Sequence, residues 1–262
     1  MNLNLHHKRA VVCGSTQGIG KAIAIGLAHL GATVTLFARN EEALRATLAE
    51  LPCPHHQPHD FLCADFAHPE QVQTVIHQWV ALHGGAHILI NNTGGPPGGQ
   101  AIDAAPKEYL DAFSKHLICN QILAQALIPF MKQHHYGRIV NVISTSVREP
   151  IPGLGVSNTI RGAVASWAKT LSFELAPLGI TVNNILPGYT KTARLASLIK
   201  ARAEKQGKTE EEITHALLAE VPAGRFAEPE EIAHAAVFLC TPAAAYITGV
   251  SIPVDGGKIR AL

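Results

Sequence analysis

The chain has 262 residues, 47% of them hydrophobic and 16% charged, which suits one large α/β domain with a buried core. Its formal net charge is only +1, so charge gives no reason to expect nucleic acid or an anionic membrane surface as a partner. The chain has no signal-peptide hydrophobic region, no apolar run near the roughly eighteen residues of a membrane span and no CxxC pair. We therefore predict a cytoplasmic protein with reduced thiols.

Short apolar runs alternate with longer amphipathic segments along the whole chain. The runs are continuous rather than alternating, which is typical of parallel strands covered by helices on both faces. The pattern predicts a doubly wound parallel sheet in a single domain, 1–262, without linkers or repeats. Strands are predicted at 9–14, 33–38, 60–64, 87–92, 138–143, 180–186 and 249–254, and helices at about 18–30, 40–50, 69–83, 106–134, 155–176 and 228–240.

One segment, at about 193–222, interrupts this alternation. It reads as two charged helices that have no strand of their own. Insertions of this kind often form a mobile lid over a site, but a plain surface excursion fits the pattern equally well.

The first strand runs directly into "CGSTQGIG" and then into a helix. Glycines at 14, 18 and 20 allow a tight turn and a close approach to a pyrophosphate, while the helix N-terminus supplies N–H donors. This context predicts a dinucleotide-binding loop.

The end of the second strand indicates which nucleotide binds. A site for NAD usually has an acidic residue there, but this sequence has Ala38, followed by Arg39. An arginine can bind a 2′-phosphate through charge-assisted hydrogen bonds, so we predict NADP(H) as the cofactor. The alternative is a solvent-facing arginine at a strand end.

The segment Cys53–Cys63, "CPHHQPHDFLC", is rich in histidine. Two prolines interrupt it, and its spacing matches no common zinc pattern. We interpret it as a polar loop and predict no metal site.

Several motifs together resemble those of the short-chain dehydrogenases/reductases, especially the 3-oxoacyl-acyl-carrier-protein reductases. They are "CGSTQGIG", "DF" at 65–66, "NNTG" at 91–94, "GRIVNVIS" before Ser144, "PGYTKT" at 187–192 and "VDGG" at 254–257. The resemblance implies a Rossmann fold with seven parallel strands and helices on both faces. It also implies these cofactor-binding residues: Gly14, Ser15, Thr16, Gln17, Gly18, Ile19, Gly20, Arg39, Asp65, Phe66, Asn91, Thr93, Gly94, Arg161, Pro187, Gly188, Thr190 and Thr192.

The resemblance breaks down at the active-site pair. The family has Tyr-x-x-x-Lys on the helix after strand 5, and the same count from Ser144 reaches Ser157 and Arg161. By the same count the family's asparagine is replaced by His116. The sequence is similar to a divergent branch with Ser-Asn-x-x-Arg at this place, and Ser144, Ser157, Arg161 and His116 are the candidate catalytic residues.

These replacements change the available chemistry. A serine hydroxyl is far less acidic than a phenol, and arginine stays protonated, so the pair can donate hydrogen bonds but cannot relay protons. Arg161 is predicted to bind an anion or the cofactor ribose, or else to pair with Glu149. His116 has a suitable pKa for proton transfer if it faces the pocket, and otherwise is simply packed.

Two functions follow from these residues. The first is an NADP(H)-dependent oxidoreductase acting on a carbonyl or hydroxyl group of an unidentified small molecule. The second is an inactive NADP(H)-binding sensor or scaffold. We also predict a homo-oligomer, a tetramer or dimer, because the helices at 106–134 and 155–176 carry apolar residues on more than one side, for example Val164, Trp167 and Leu171.

Overall fold

The structure, a computed structural model, describes residues 1–261. Its centre is a seven-stranded parallel sheet in the order β3-β2-β1-β4-β5-β6-β7. The strands are β1 Arg9–Cys13, β2 Thr33–Ala38, β3 Asp60–Cys63, β4 Ile88–Asn91, β5 Gly137–Val142, β6 Ile180–Pro187 and β7 Ser251–Val254. The predicted seven-stranded parallel sheet is confirmed.

Helices cover both faces of the sheet. They are α1 Gly18–His29, α2 Glu41–Ala49, α3 Pro69–His83, α4 Pro106–Phe113, α5 Cys119–Gln133, α6 Gly155–Leu175, α7 Ala193–Gln206, α8 Glu210–Ala219 and α9 Pro229–Leu239. Among residues 1–261, no helix has the length and apolar character needed to cross a bilayer.

Strand β1 shows why the apolar runs are continuous. Ala10 and Val12 point into a core shared with α1 and α9. Val11 and Cys13 point into the opposite core, shared with α3 and α5. Successive strand residues face opposite sides, so a strand buried on both sides needs an apolar residue at every position.

The predicted helix at 106–134 is helical throughout but is not uniform. A π-helical turn, Ser114–Ile118, separates α4 from α5 and carries His116. Such turns widen the helix locally and are frequent near functional sites.

Helices α7 and α8 occupy the segment singled out at 193–222. They pack through a small apolar cluster of their own that includes Leu195, Ile199 and Leu217. Thr209 and Glu212 form a capping box that starts α8. Because helices α7 and α8 follow β6, they lie on the side of the sheet where the carboxyl ends of the parallel strands are found.

The three residues that suggested an oligomer do not leave an apolar surface. Val164 is buried within the chain, while Trp167 and Leu171 are partly buried against its cores. Trp167 also donates a hydrogen bond to the Gln121 side chain at 2.8 Å. The exposed apolar side chains of α4 and α6 are others: Leu110, Phe113 and Phe173.

The histidine-rich loop at 52–59 packs along the sheet. His59 Nδ1 accepts a hydrogen bond from the Val34 amide at 3.0 Å, and its other ring nitrogen lies 3.1 Å from the Pro52 carbonyl oxygen. Gln57 donates to the Ala28 carbonyl oxygen at 3.0 Å. Within residues 1–261 no cluster of three or more His, Cys, Asp or Glu could hold a metal ion.

Candidate active site

A cavity of about 560 Å³ runs along the carboxyl ends of strands β1 to β6. From β1 the strand order runs to β2 and β3 on one side and to β4 and the later strands on the other. In open α/β sheets, a crevice forms outside the carboxyl ends of the strands at the point where the order reverses, because the connections there run in opposite directions. The topology therefore places the cavity where such folds bind ligands.

The glycine loop forms one wall of this cavity. Gly18, with a φ of +52°, opens α1, and the side chain of the preceding Gln17 makes no capping hydrogen bond. A Cβ atom at Gly20 would stand only 2.1 Å from the Gly14 carbonyl oxygen, so the helix and loop need glycine to pack this closely. The first turn of α1 has no acidic residue. A pyrophosphate therefore fits at this helix N-terminus.

Arg39 and Asp65 mark the far end of the cavity. Nη1 of Arg39 lies 3.7 Å from Oδ2 of Asp65, and the arginine side chain is 75% exposed. Asp65 Oδ1 accepts a hydrogen bond from the Ala67 amide at 2.9 Å, which fixes the carboxylate. The guanidinium therefore lies near the end of β2 with most of its surface open to a ligand.

Most of the predicted site residues line this one cavity. Ser15, Gly20, Asn91 and His116 do not. Those that do are Gly14, Thr16, Gln17, Gly18, Ile19, Arg39, Asp65, Phe66, Thr93, Gly94, Ser144, Ser157, Arg161, Pro187, Gly188, Thr190 and Thr192.

Ser15 and Asn91 are buried beside the cavity and support its frame. Ser15 Oγ accepts a hydrogen bond from the Phe37 amide at 3.0 Å, which ties the glycine loop to β2. Asn91 donates to the Asn141 side chain at 2.8 Å, and Asn141 donates to Asn184 at 2.9 Å. Ser15 and Asn91 thus lie outside the cavity lining, and their side chains form hydrogen bonds within the frame of the sheet.

Sequence analysis chose Asn91 and missed the next residue, Asn92. Asn92 lines the cavity and donates from Nδ2 to the carbonyl oxygens of Cys13 and Gly14, both at 3.2 Å. The signal was available in the alternation of a strand: Asn91 is the last buried residue of β4, so the following residue is the first that is free to face the crevice.

Ser144, Ser157 and Arg161 come together from two elements. Ser144 follows β5, and its Oγ accepts a hydrogen bond from the Ser146 amide at 3.0 Å. Helix α6 presents Ser157 and Arg161 one turn apart, and each residue is only 8% exposed. The structure therefore places two hydroxyl groups and one guanidinium in the lining of one cavity.

Arg161 donates from Nη1 to the Val142 carbonyl oxygen at 3.0 Å, while its buried Nε has no partner. Burial, and to a lesser degree the charge of Arg194, lowers the pKa of Arg161 to about 10. The alternative pairing with Glu149 is not formed, because Glu149 is an exposed residue and the hydrogen bond goes to the backbone of β5 instead.

His116 is buried in the π-helical turn and does not line the cavity. Burial, followed by the charges of Arg161 and Lys115, lowers its pKa well below 6.5, although a hydrogen bond with the Gly94 backbone opposes this. The imidazole is therefore neutral at pH 7. Its predicted role in proton transfer requires a side chain that faces the pocket, and His116 is not part of the cavity lining.

One tyrosine, Tyr189, lines the cavity in the part of the chain that is described. Its hydroxyl donates to Glu220 Oε2 at 2.9 Å, and burial raises its pKa. A phenol that relays protons needs the opposite shift. Tyr189 therefore holds the end of α8 and does not replace the missing tyrosine.

The glycine–proline loop and the segment before α6 are joined at the cavity mouth. The Gly99 amide donates to the Gly153 carbonyl oxygen at 2.8 Å, and the Gly155 amide donates to the Gly99 carbonyl oxygen at 3.0 Å. Asn158, next to Ser157, donates to the Ile151 carbonyl oxygen at 2.9 Å. These hydrogen bonds therefore hold the two loops together.

Comparison with known proteins agrees with this architecture. A family model described as enoyl-(acyl carrier protein) reductase matches residues 14–258. The chain belongs to the short-chain dehydrogenase/reductase family. The 3-oxoacyl-[acyl-carrier-protein] reductase FabG of Vibrio cholerae is 33% identical over 257 residues, covering 97% of this chain and 98% of the relative.

Solved structures of this family superpose over nearly the whole chain. The L-sorbose reductase of Gluconobacter frateurii, described in complex with NADPH and L-sorbose, has a TM-score of 0.90 at 31% identity, with both chains covered completely. An NADPH-dependent reductase involved in bacilysin biosynthesis has a TM-score of 0.91 at 26% identity, covering 97% of this chain and 99% of the other. Both neighbours use NADPH, in agreement with the predicted cofactor.

Proposed function

We propose that this member of the family is an NADP(H)-dependent oxidoreductase that interconverts a carbonyl group and an alcohol of a small molecule. The observation that carries the proposal is the shared cavity, which is lined by Ser144, Ser157 and Arg161 as well as by the glycine loop. The family resemblance to reductases supports the reaction class.

The residues of the cavity fit the cofactor. The pyrophosphate belongs at the glycine loop, where the N-terminus of α1 is free of side-chain caps and acidic groups. The 2′-phosphate belongs at Arg39, and Pro187 and Thr190 are assigned to the nicotinamide side. When bound, this cofactor supplies a hydride to a carbonyl carbon or takes one from an alcohol.

The two serines act on the substrate oxygen. Ser144 and Ser157 donate hydrogen bonds to it, and Arg161, one turn from Ser157, adds positive charge to the same part of the cavity. None of these three groups is an acid or base near neutral pH. The proton consumed in the reduction is therefore taken from bulk solvent, and the contribution of these residues is preorganised hydrogen bonding.

The test is NADPH oxidation at 340 nm with a panel of ketones and aldehydes. Ser144→Ala and Ser157→Ala should each lower kcat by a factor on the order of 100, the effect of removing one oxyanion donor. Ser166→Ala, an exposed serine on the same helix as Ser157, is the matched control and should keep the parent rate. Unchanged rates in both active-site variants would reject the proposed mechanism.

A second candidate is an NADP(H)-binding sensor or scaffold that has lost hydride transfer. What favours it is that neither Tyr189 nor His116 is placed to supply the proton, since Tyr189 is bound to Glu220 and His116 is outside the cavity lining. Tight NADPH binding without oxidation by any carbonyl compound of the panel would support this reading.

We also propose that the chain is a cytoplasmic homo-oligomer with α7 and α8 as a lid over the cavity. The exposed apolar side chains on α4 and α6 support association. Light scattering at micromolar concentration should give a mass of two or four chains, and Phe173→Asp should lower it. A monomer would reject the oligomer.

A further inference from the structure

We infer that the substrate carries a carboxylate, which binds between the guanidinium groups of Arg161 and Arg194. This inference rests on the proposed function, since it names the substrate class of the same site. It adds Arg194, a residue of α7 that no sequence motif singled out.

Arg161 is a buried cation whose hydrogen-bonding capacity is mostly unused. One of its donors meets the Val142 carbonyl oxygen, its Nε has no partner, and no carboxylate of residues 1–261 forms an ion pair with it. Burying a charge without a counter-charge costs several kcal/mol, so a site of this kind is expected to receive an anion.

Arg194 brings a second guanidinium to the same cavity. It lies in the first turn of α7, where its Nη2 donates to the Pro96 carbonyl oxygen of the glycine–proline loop. Its guanidinium would be 3.4 Å from a Cβ atom at Gly95, so it lies against this loop. Arg161 and Arg194 line the same cavity, and the positive charge of Arg194 contributes to the lowered pKa of Arg161. An anion between them would offset this effect.

The rest of the wall supports the choice of an anion. Six cationic side chains line the cavity but only one acidic side chain, Asp65, which already faces Arg39 at the nucleotide end. Lys258 is paired with Glu220 at 2.9 Å. The other cations are Lys115, Arg161, Arg194 and Arg202.

The position of the pair points to the substrate rather than the cofactor phosphates. The phosphate loop lies after β1, whereas Arg161 is anchored to the end of β5 beside Ser144. A planar carboxylate matches the forked donors of a guanidinium, and a carbonyl group on the same molecule would reach the serine hydroxyls. A short oxo acid has both groups.

The experiment titrates three oxo acids, pyruvate, acetoacetate and levulinate, and their neutral methyl esters, into the protein saturated with NADP⁺. The oxidised cofactor cannot reduce a ketone, so calorimetry measures binding alone. Wild type should bind at least one acid at least tenfold more tightly than its ester. Arg194→Gln should remove most of that preference, because glutamine keeps N–H donors but has no charge.

Lys200→Gln is the matched control, because Lys200 is exposed on the same helix outside the cavity and its loss removes the same charge. It should keep the wild-type preference. Arg161→Gln is the second variant. Circular dichroism of every variant tests whether it is folded. A separate titration with NADPH should give affinities within about threefold of wild type for Arg194→Gln.

The outcomes separate the two proposals. Equal binding of acids and esters by wild type, or an NADPH affinity that falls more than the acid affinity in Arg194→Gln, overturns the inference. Turnover of neutral ketones at the same efficiency as oxo acids overturns it while the proposed oxidoreductase stands. Charge-dependent binding of an acid without any NADPH oxidation supports the anion site and rejects the oxidoreductase.

Discussion

Arg161 donates a hydrogen bond to the carbonyl oxygen of Val142 at 3.0 Å, and this bond holds a guanidinium where the family carries a lysine ammonium. Lysine can lose its proton and pass protons on, whereas arginine remains charged. The hydrogen bond to Val142 therefore fixes a positive charge next to Ser157.

The rate of carbonyl reduction should be nearly independent of pH between about pH 6 and 9. The pKa of His116 is well below 6.5, the pKa of Tyr189 is raised, and the pKa of Arg161 is about 10, so none of these groups changes its charge in that range. Steady-state kcat measured in buffers of constant ionic strength checks this. A bell-shaped profile centred in the range would require an acid or base other than His116, Tyr189 and Arg161 and would contradict the prediction.

The double variant Ser157→Tyr/Arg161→Lys gives the contrasting case, because it restores the pair of the family. A lysine beside the new phenol should lower the phenol pKa, so that kcat depends on pH below the ordinary tyrosine value of about 10. If this variant reduces carbonyl compounds that the parent leaves untouched, the parent site has abandoned that chemistry. Stopped-flow measurement of NADPH oxidation separates hydride transfer from product release.

Replacing Arg39 by alanine should reduce the preference for NADPH over NADH by about tenfold, the effect of losing one charge-assisted contact to the 2′-phosphate. The side chain lies at the cavity end with its donors largely exposed, which limits the effect. Calorimetric titration with both cofactors measures the ratio. Arg45→Ala is the control, an exposed arginine on α2 that pairs with Glu41 outside the cavity. Equal affinities of wild type for the two cofactors would contradict the prediction.

Gly20→Ala should abolish cofactor binding and lower the melting temperature. The added Cβ would stand 2.1 Å from the Gly14 carbonyl oxygen, a backbone atom that cannot move without opening the loop. Gly162→Ala is the matched control, since a Cβ there meets nothing within 4 Å. That change within α6 should stabilise the protein by about 0.5–1 kcal/mol. Thermal unfolding and NADPH titration of both variants would decide the matter, and normal cofactor affinity in Gly20→Ala would refute it.

The protein should lose stability as the pH falls below 6.5, partly because of His87. This residue is buried, and its Nδ1 accepts a hydrogen bond from the Arg9 amide at 3.1 Å. Burial, followed by the charges of Lys8, His134 and Arg9, lowers the pKa of His87 to about 3. Below pH 6.5 the unfolded chain therefore takes up a proton that the folded chain does not, and the free energy of unfolding decreases.

Between pH 7 and pH 5, His87 should lower the free energy of unfolding by at most about 2 kcal/mol. Urea unfolding of wild type and His87→Gln at both pH values measures it, because glutamine keeps an acceptor for the Arg9 amide but does not titrate. His77→Gln, an exposed histidine on α3, is the control. An identical pH dependence in wild type and His87→Gln would exclude this source.

The sequence by itself determined the sheet and the cofactor loop. A strand buried on both faces must be apolar at each position, as Val11 and Val12 are, so the pattern is local and readable. Glycine at 20 is also a local requirement, because the loop returns onto its own helix. The count from Ser144 to Ser157 and Arg161 needed no structure either, because the segments "AKTL" and "GITVN" downstream stay in register without a gap.

Only the tertiary structure decided how the site is arranged. Whether Asn91 or Asn92 faces the crevice depends on where β4 ends, and a shift of one residue turns a side chain to the opposite face. His116 is buried in a π-helical turn that no sequence pattern marked, and it does not line the cavity. Arg194 comes to the cavity from a helix far along the chain and meets Pro96 there, a contact across 98 positions. Such contacts depend on how separate elements pack, and no periodicity of a single element records them.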